Sequence, residues 1–200
     1  MKKLAVVMLG VLLFTPAFAN NWGLGLKLGA GQNDPKTMKD YHDALGGSLD
    51  KSGAYFGLEA LYEFNLNDEA NKLGVKVGWD YYGENKLKVA GEKVSEETYS
   101  FPFTAYYRRD NGVKAFSWFG GAGFTIISSK AEVDSYFGDD DTHKTKVFPH
   151  IMAGGEYRFT DLFALGLEAR YNFSAKVKKN GAVLSDRSGF GAALTGRFYF

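Results

Sequence analysis

The 200-residue chain contains no cysteine, which excludes a disulfide framework and any thiolate metal site. It has almost no net charge, 24 Lys and Arg against 23 Asp and Glu, so nothing draws it toward nucleic acid or acidic partners in general. Histidine is scarce as well, with His42, His143 and His150 as the complete set. Long hydrophobic runs are missing. The apolar stretch Leu4 to Phe14 falls short of the about 20 residues a membrane helix needs, and no later segment reaches that length without a charge. If the mature chain crosses a membrane it must do so as a closed barrel, because only helices and barrels satisfy every backbone polar group in lipid.

What is abundant points to strands and turns: 16% aromatic residues and 25 glycines. The first nineteen residues read as an address. Lys2 and Lys3 form a basic start, Leu4 to Phe14 an apolar centre and Ala17-Phe18-Ala19 a small-x-small cleavage site. The expected organisation is a signal peptide over 1–19 and a single barrel domain over 20–200. Without the two lysines, 22 basic residues face 23 acidic ones, a net charge of −1.

Period-two alternation recurs along the rest of the chain. In Phe190 to Phe200, Phe190, Ala192, Leu194, Gly196, Phe198 and Phe200 share one face and Gly191, Ala193, Thr195, Arg197 and Tyr199 the other. Seven earlier stretches behave alike: Asn21 to Gln32, Ala54 to Phe64, Lys72 to Gly83, Thr98 to Arg108, Val113 to Ile127, Lys146 to Phe159 and Phe163 to Phe173. Bulky apolar residues take one face of each, and glycine, charge and small polar groups the other, with Phe119 as the exception. Connections alternate long and short, the short ones near Asn65, Arg109 and Thr160, as in membrane barrels with short periplasmic turns and longer outer loops. The predicted fold is all-β: an eight-stranded antiparallel up-and-down transmembrane β-barrel, with both termini on the periplasmic side.

Three details carry expectations of their own. Pro102 lies within the fourth stretch, where a missing ladder donor predicts a bulge or local break. Asp34, Pro35, Met38, Tyr41, Leu45 and Gly46 predict a short helix in the first long loop, either a partner-binding cap or a segment packed on the barrel rim. Asn180-Gly181 predicts a two-residue hairpin turn between the last two strands, both extended past the membrane surface.

With these residues in view, the chain resembles the small outer-membrane β-barrel family that includes the OmpA transmembrane domain, OmpX and the opacity-type proteins. The resemblance runs from Trp22 to Phe200. It rests on Ser100-Phe101-Pro102-Phe103, Gly120-Gly121-Ala122-Gly123-Phe124, Gly155-Glu156-Tyr157-Arg158-Phe159, Gly166-Leu167-Glu168-Ala169-Arg170-Tyr171, and the Phe198 and Phe200 terminus. It implies a bacterial outer-membrane location after export through the periplasm, and a terminal aromatic signal, Phe198 with Phe200, read by the barrel assembly machinery.

The inward faces collect Lys27, Lys76, Arg108, Arg158, Arg170 and Arg197 against Glu59, Glu63, Asp80, Glu156 and Glu168. Eight strands leave a lumen just wide enough to be filled by side chains, so these charges are expected to pair as a plug. The sharper alternative is a gated proton or ion path along Glu59, Lys76, Glu156 and Arg170. A lipid A deacylase would need a Ser two residues after its strand His, but Ile151 and Met152 follow His150. Gly138-Asp139-Asp140-Asp141 concentrates oxygen ligands for calcium without the alternation of a dedicated loop, and Lys176, Lys178 and Lys179 form a basic patch that suits lipopolysaccharide phosphates or a hydrated tip.

The expected protein is a non-enzymatic, monomeric surface or structural barrel without a cofactor. Its expected partners are outer-membrane lipid, lipopolysaccharide and an extracellular ligand at the loops, and no nucleic acid. A narrow or gated pore is the alternative. A lipocalin-type soluble barrel would want an apolar lumen and a Gly-x-Trp near its start, whereas here Trp22 follows Asn20-Asn21.

Overall fold

The computed structural model describes residues 22–31, 48–50, 53–66, 70–89, 92–111, 115–135, 138–179 and 182–200. The expected signal segment and the expected helix from Pro35 to Leu45 lie outside these residues.

Every alternating stretch becomes a strand. In chain order the elements are β1 (Trp22–Gly31), β2 (Ser48–Asp50), β3 (Ala54–Asn65), β4 (Asn71–Val89), β5 (Glu92–Asp110), β6 (Phe116–Ser135), β7 (Gly138–Arg158), β8 (Phe163–Asn172), β9 (Lys176–Lys179), β10 (Ala182–Asp186) and β11 (Gly189–Tyr199). Eight of them form a ring: β1 pairs with β3, then β4, β5, β6, β7, β8 and β11 follow in turn, and β11 pairs back with β1, all antiparallel. Each ring neighbour is the next long strand in the chain, so this is a closed up-and-down barrel without a free edge. No helix occurs among the described residues.

Lipid is the solvent that fits its exterior. Leu26, Leu28, Val75, Val77, Leu165, Leu167 and Leu194 all stand exposed on the outward face. Aromatic groups bracket this aliphatic zone at both ends. Trp22 with Tyr62, Tyr157 with Phe159, and Phe163 with Phe198 lie toward the short turns; Trp79 with Tyr81 and Tyr99, and Tyr171 with Phe173 and Phe190, lie toward the other end. That is an apolar band with two aromatic girdles.

The hairpins toward the second end are longer than expected. In place of a loop from Ser128 to Thr145, pairing continues from Ser128 opposite Thr145 out to Ser135 opposite Gly138. Beyond Ile127 the ribbon leaves hydrocarbon, so polar residues occupy both of its faces and the period-two signal fades while the ladder persists. β2, unforeseen in the first long loop, pairs with the same outer region of β4, Leu49 opposite Leu87.

Pro102 does interrupt its ladder. Between β4 and β5 the register passes from Val77 opposite Phe103 to Asp80 opposite Ser100, with the two intervening positions unpaired and the register unchanged. The proline ring turns into the lumen over Gly78, where a Cβ would come within 2.9 Å of Pro102 Cγ. The register shift itself falls farther out, between Tyr81 and Glu84, where Gly83 takes a φ of 74°.

The last hairpin also departs from expectation. β8 and β11 do not run on into it: Ser174 at φ 51° and Gly189 at φ 123° break the two strands at the pair Asn172 and Gly189, and β9 with β10 form a separate two-stranded ribbon with Lys179 opposite Ala182, while the expected Asn180-Gly181 turn itself lies outside the described residues.

A charge placed on the lipid-facing side tests this orientation. Leu167→Arg, in the middle of the outward face, should lower stability in lipid vesicles by about 2–4 kcal/mol in equilibrium unfolding, while Leu167→Met stays near the parent. An exterior facing water would tolerate the arginine.

Candidate functional site: the charged lumen

The residues shut inside the barrel are polar to an unusual degree. Lys27, Glu59, Glu63, Lys76, Asp80, Arg108, Glu156, Glu168, Arg170 and Arg197 are all buried. Burying a charge is costly unless it is paired and hydrogen-bonded, and the strand order brings opposite charges together across the lumen.

The hub is Arg197 on β11. Its Nε lies 2.5 Å from Glu59 on β3, Nη1 2.9 Å from Glu156 on β7, and Nη2 3.2 Å from Glu168 on β8. Lys76 on β4 pairs with Glu168 and lies 3.5 Å from Glu59. Toward the short turns, Arg108 bonds Glu156 at 3.0 Å and Glu63 at 3.3 Å. Toward the other end, Lys27 reaches Asp80 at 2.6 Å, and Asp80 also receives Arg170 at 2.8 Å. Five cations and five carboxylates thus form one connected column along the barrel axis.

Neutral groups complete it. Tyr199 donates to Glu156 at 2.8 Å and accepts from Arg108 at 2.8 Å, and Tyr106 donates to Glu63 at 2.9 Å. Phe119, the apolar residue on an otherwise polar face, lies under the cations: its ring centre is 4.8 Å from Arg197 and 5.8 Å from Lys76. Glycine makes the room. A Cβ at Gly25 would sit 2.8 Å from Glu59 Cγ and 3.2 Å from Arg197 Cγ, and one at Gly57 would meet Lys27 Cε at 3.0 Å. Between Glu63, Lys76, Arg108, Phe119 and Arg197 the remaining void is about 10 Å³, room for no more than a water molecule.

Arg158 does not join the column. It is half-buried, makes no ion pair among the described residues, and stacks over Tyr199 with Cζ 4.3 Å from the ring centre. Parity along β7 carried it inward, but as the last residue of that strand it sits at the rim. His150 is enclosed in the lumen, with Nε2 2.9 Å from Thr104 Oγ1 and Nδ1 2.8 Å from Thr125 Oγ1. Asp139 to Asp141 lie in β7, not in a loop. The tyrosine hydroxyls that bind the carboxylates were the functional residues least visible in sequence, although Tyr106 and Tyr199 do share the inward parity of Arg108 and Arg197.

An eight-stranded barrel with an apolar exterior, two aromatic girdles and an ionised interior is an integral membrane β-barrel. The chain belongs to the outer membrane protein beta-barrel family, whose profile matches residues 4–198, and it resides in the bacterial outer membrane. It is similar in fold to Ail, the attachment invasion locus protein of Yersinia pestis, at 17% identity over 90% of this chain and 98% of that one, with a TM-score of 0.51. Ail in complex with the heparin analogue sucrose octasulfate gives 18% identity over the same shares and a TM-score of 0.54. Neisserial surface protein A gives 16% identity, 90% and 97% coverage and a TM-score of 0.50. No curated protein matches the sequence.

Removing the hub should be severe. Arg197→Met leaves three buried carboxylates short of a partner and should cost about 3–5 kcal/mol in equilibrium unfolding. Lys76→Met alone should destabilise in the same way, and Lys76→Met combined with Glu168→Gln should regain much of the loss. Additive losses would contradict a direct pairing.

Proposed function

We propose that this protein is a plugged surface barrel that acts through its outward hairpins, in adhesion, surface protection or envelope integrity, and not through its lumen. The observation that carries this reading is strand length. β1, β8 and β11 have 10 or 11 residues, about the 9–11 that a tilted strand needs to span a bilayer. β4, β5, β6 and β7 have 19 to 21. The excess lies entirely on the side opposite the short turns, so the chain builds two stiff ribbons into the extracellular space.

The column from Glu63 to Arg170 serves as the plug, a reading supported by the void of only about 10 Å³ among Glu63, Lys76, Arg108 and Arg197. We assign no catalysis: His150 is held between two threonine hydroxyls with no carboxylate bonded to it among the described residues. Residues 1–19 act as the export signal, and Phe198 with Phe200 on the closing strand as the signal for the barrel assembly machinery. Lipid and lipopolysaccharide surround a monomer, and an extracellular ligand meets the hairpins.

Planar-bilayer recordings of the mature protein should show little steady conductance; large, stable openings would refute the plug. Replacing residues 84–97 and 128–145 with short turns should leave a folded, heat-modifiable barrel that no longer captures the envelope or host-matrix components bound by the full-length protein. Unchanged capture would refute the role of the hairpins.

A further inference from the structure

The outer wall of the barrel carries a hollow near the short turns. Its volume is about 430 Å³ and it is lined by Phe64, Leu73, Val75, Ala105, Tyr107 and Gly120, a size within the range of small-molecule sites. The strand register accounts for it. Phe64, Leu73, Tyr107 and Gly120 lie opposite one another across β3, β4, β5 and β6, and Val75, Ala105 and Ala122 form the next row. Bulky side chains on β3 and β4 therefore stand beside Ala105 and Gly120, where the wall is low. Gly120 is not there to make room inside the protein. A Cβ at the lumen-facing Gly25 would come within 2.8 Å of Glu59, whereas one at Gly120 would meet only Met152 O, at 3.8 Å, beyond its chain neighbours.

A cation stands at one end of this hollow. Two residues past Tyr107, about 7 Å farther along β5 toward the short turns, Arg109 is exposed on the same face of the strand. It lies opposite Asn71 on β4 and Trp118 on β6. Trp118 meets Tyr107 edge-on with ring centres 5.6 Å apart, so Arg109 is at the aromatic girdle, the level at which lipid head groups meet water. Its neighbours on this rim are engaged: Lys72 lies 3.7 Å from Glu63, and Arg108 bonds Asp110 at 3.1 Å. Arg109 makes no ion pair among the described residues.

We propose that the hollow and Arg109 together hold one phospholipid of the periplasmic leaflet, with an acyl chain along Ala105 and Gly120 and the phosphate on the guanidinium. The short turns of an outer-membrane barrel are periplasmic, which places both features in that leaflet. An apolar hollow in a lipid-facing wall takes hydrocarbon, and the planar N–H fork of an arginine matches two phosphate oxygens. Elsewhere on the exterior a lipid meets apolar surface alone; here a recess for the chain and a charge for the head group lie one above the other. The inference rests on the lipid-facing exterior, and its failure would leave the role of the hairpins untouched.

The test uses the full-length mature protein refolded in lipid-free maltoside detergent. It is titrated with phosphatidylglycerol, or with diacylglycerol of the same chains, and the bound lipid is read by native mass spectrometry. The parent should retain one phosphatidylglycerol per barrel, saturably, and diacylglycerol about tenfold more weakly, the loss of one charge-assisted contact. Arg109→Gln should bring phosphatidylglycerol down to the level of diacylglycerol. Gly120→Leu, which fills the hollow, should abolish retention of both lipids, and Ala105→Leu from the neighbouring strand should do the same, each with heat-modifiable migration unchanged. Ala192→Leu, on the lipid-facing side away from the hollow, should bind like the parent. The proposal is overturned if no lipid is retained one to one, if diacylglycerol binds as tightly as phosphatidylglycerol, if Arg109→Gln binds like the parent, or if the two filled variants still retain the lipid.

Discussion

Charge sealed away from water has to be answered by charge, and in this barrel the answer converges on Arg197. One guanidinium joins β11 to β3, β7 and β8 through Glu59, Glu156 and Glu168. These contacts cross the lumen, so they fix which strands face one another and in which register. A slip of one residue would send every inward side chain to the lipid, where an arginine near the midplane costs about 2–4 kcal/mol. Buried pairs add little net stability over an apolar core. Their contribution here is to penalise every arrangement except this one.

The same constraint orders the surrounding chemistry. Glycine at Gly25 and Gly57 leaves space that the side chains of Glu59, Arg197 and Lys27 fill. Phe119 offers its ring face to two cations, and tyrosine hydroxyls satisfy carboxylate oxygens that the cations do not reach. Under the proposed function, contact with the outside falls to the two long ribbons, β4 with β5 and β6 with β7, that leave the membrane.

The architecture was legible because lipid and lumen impose opposite demands on alternate residues. Leu24, Leu26 and Leu28 against Gly25, Lys27 and Gly29 state the orientation of β1 outright, and Arg197 between Gly196 and Phe198 does the same for β11. The signal failed wherever that contrast ends. Past Ile127 the ribbon is in water on both faces, and a strand there looks like a loop. At Arg158 parity held but depth did not, since alternation gives a residue's face and says nothing of its height.

The most direct test of the central claim is the accessibility of nitroxide labels to molecular oxygen, scanned through residues 164–167 and 192–195 of the lipid-reconstituted protein. Lipid-dissolved oxygen should collide frequently with labels at Leu165, Leu167, Ala192 and Leu194 and rarely with those at Ala164, Gly166, Ala193 and Thr195, giving two antiphase rows with a period of two. A flat profile, or one with the maxima at Ala193 and Thr195, would contradict an apolar exterior wrapped around an ion-paired core.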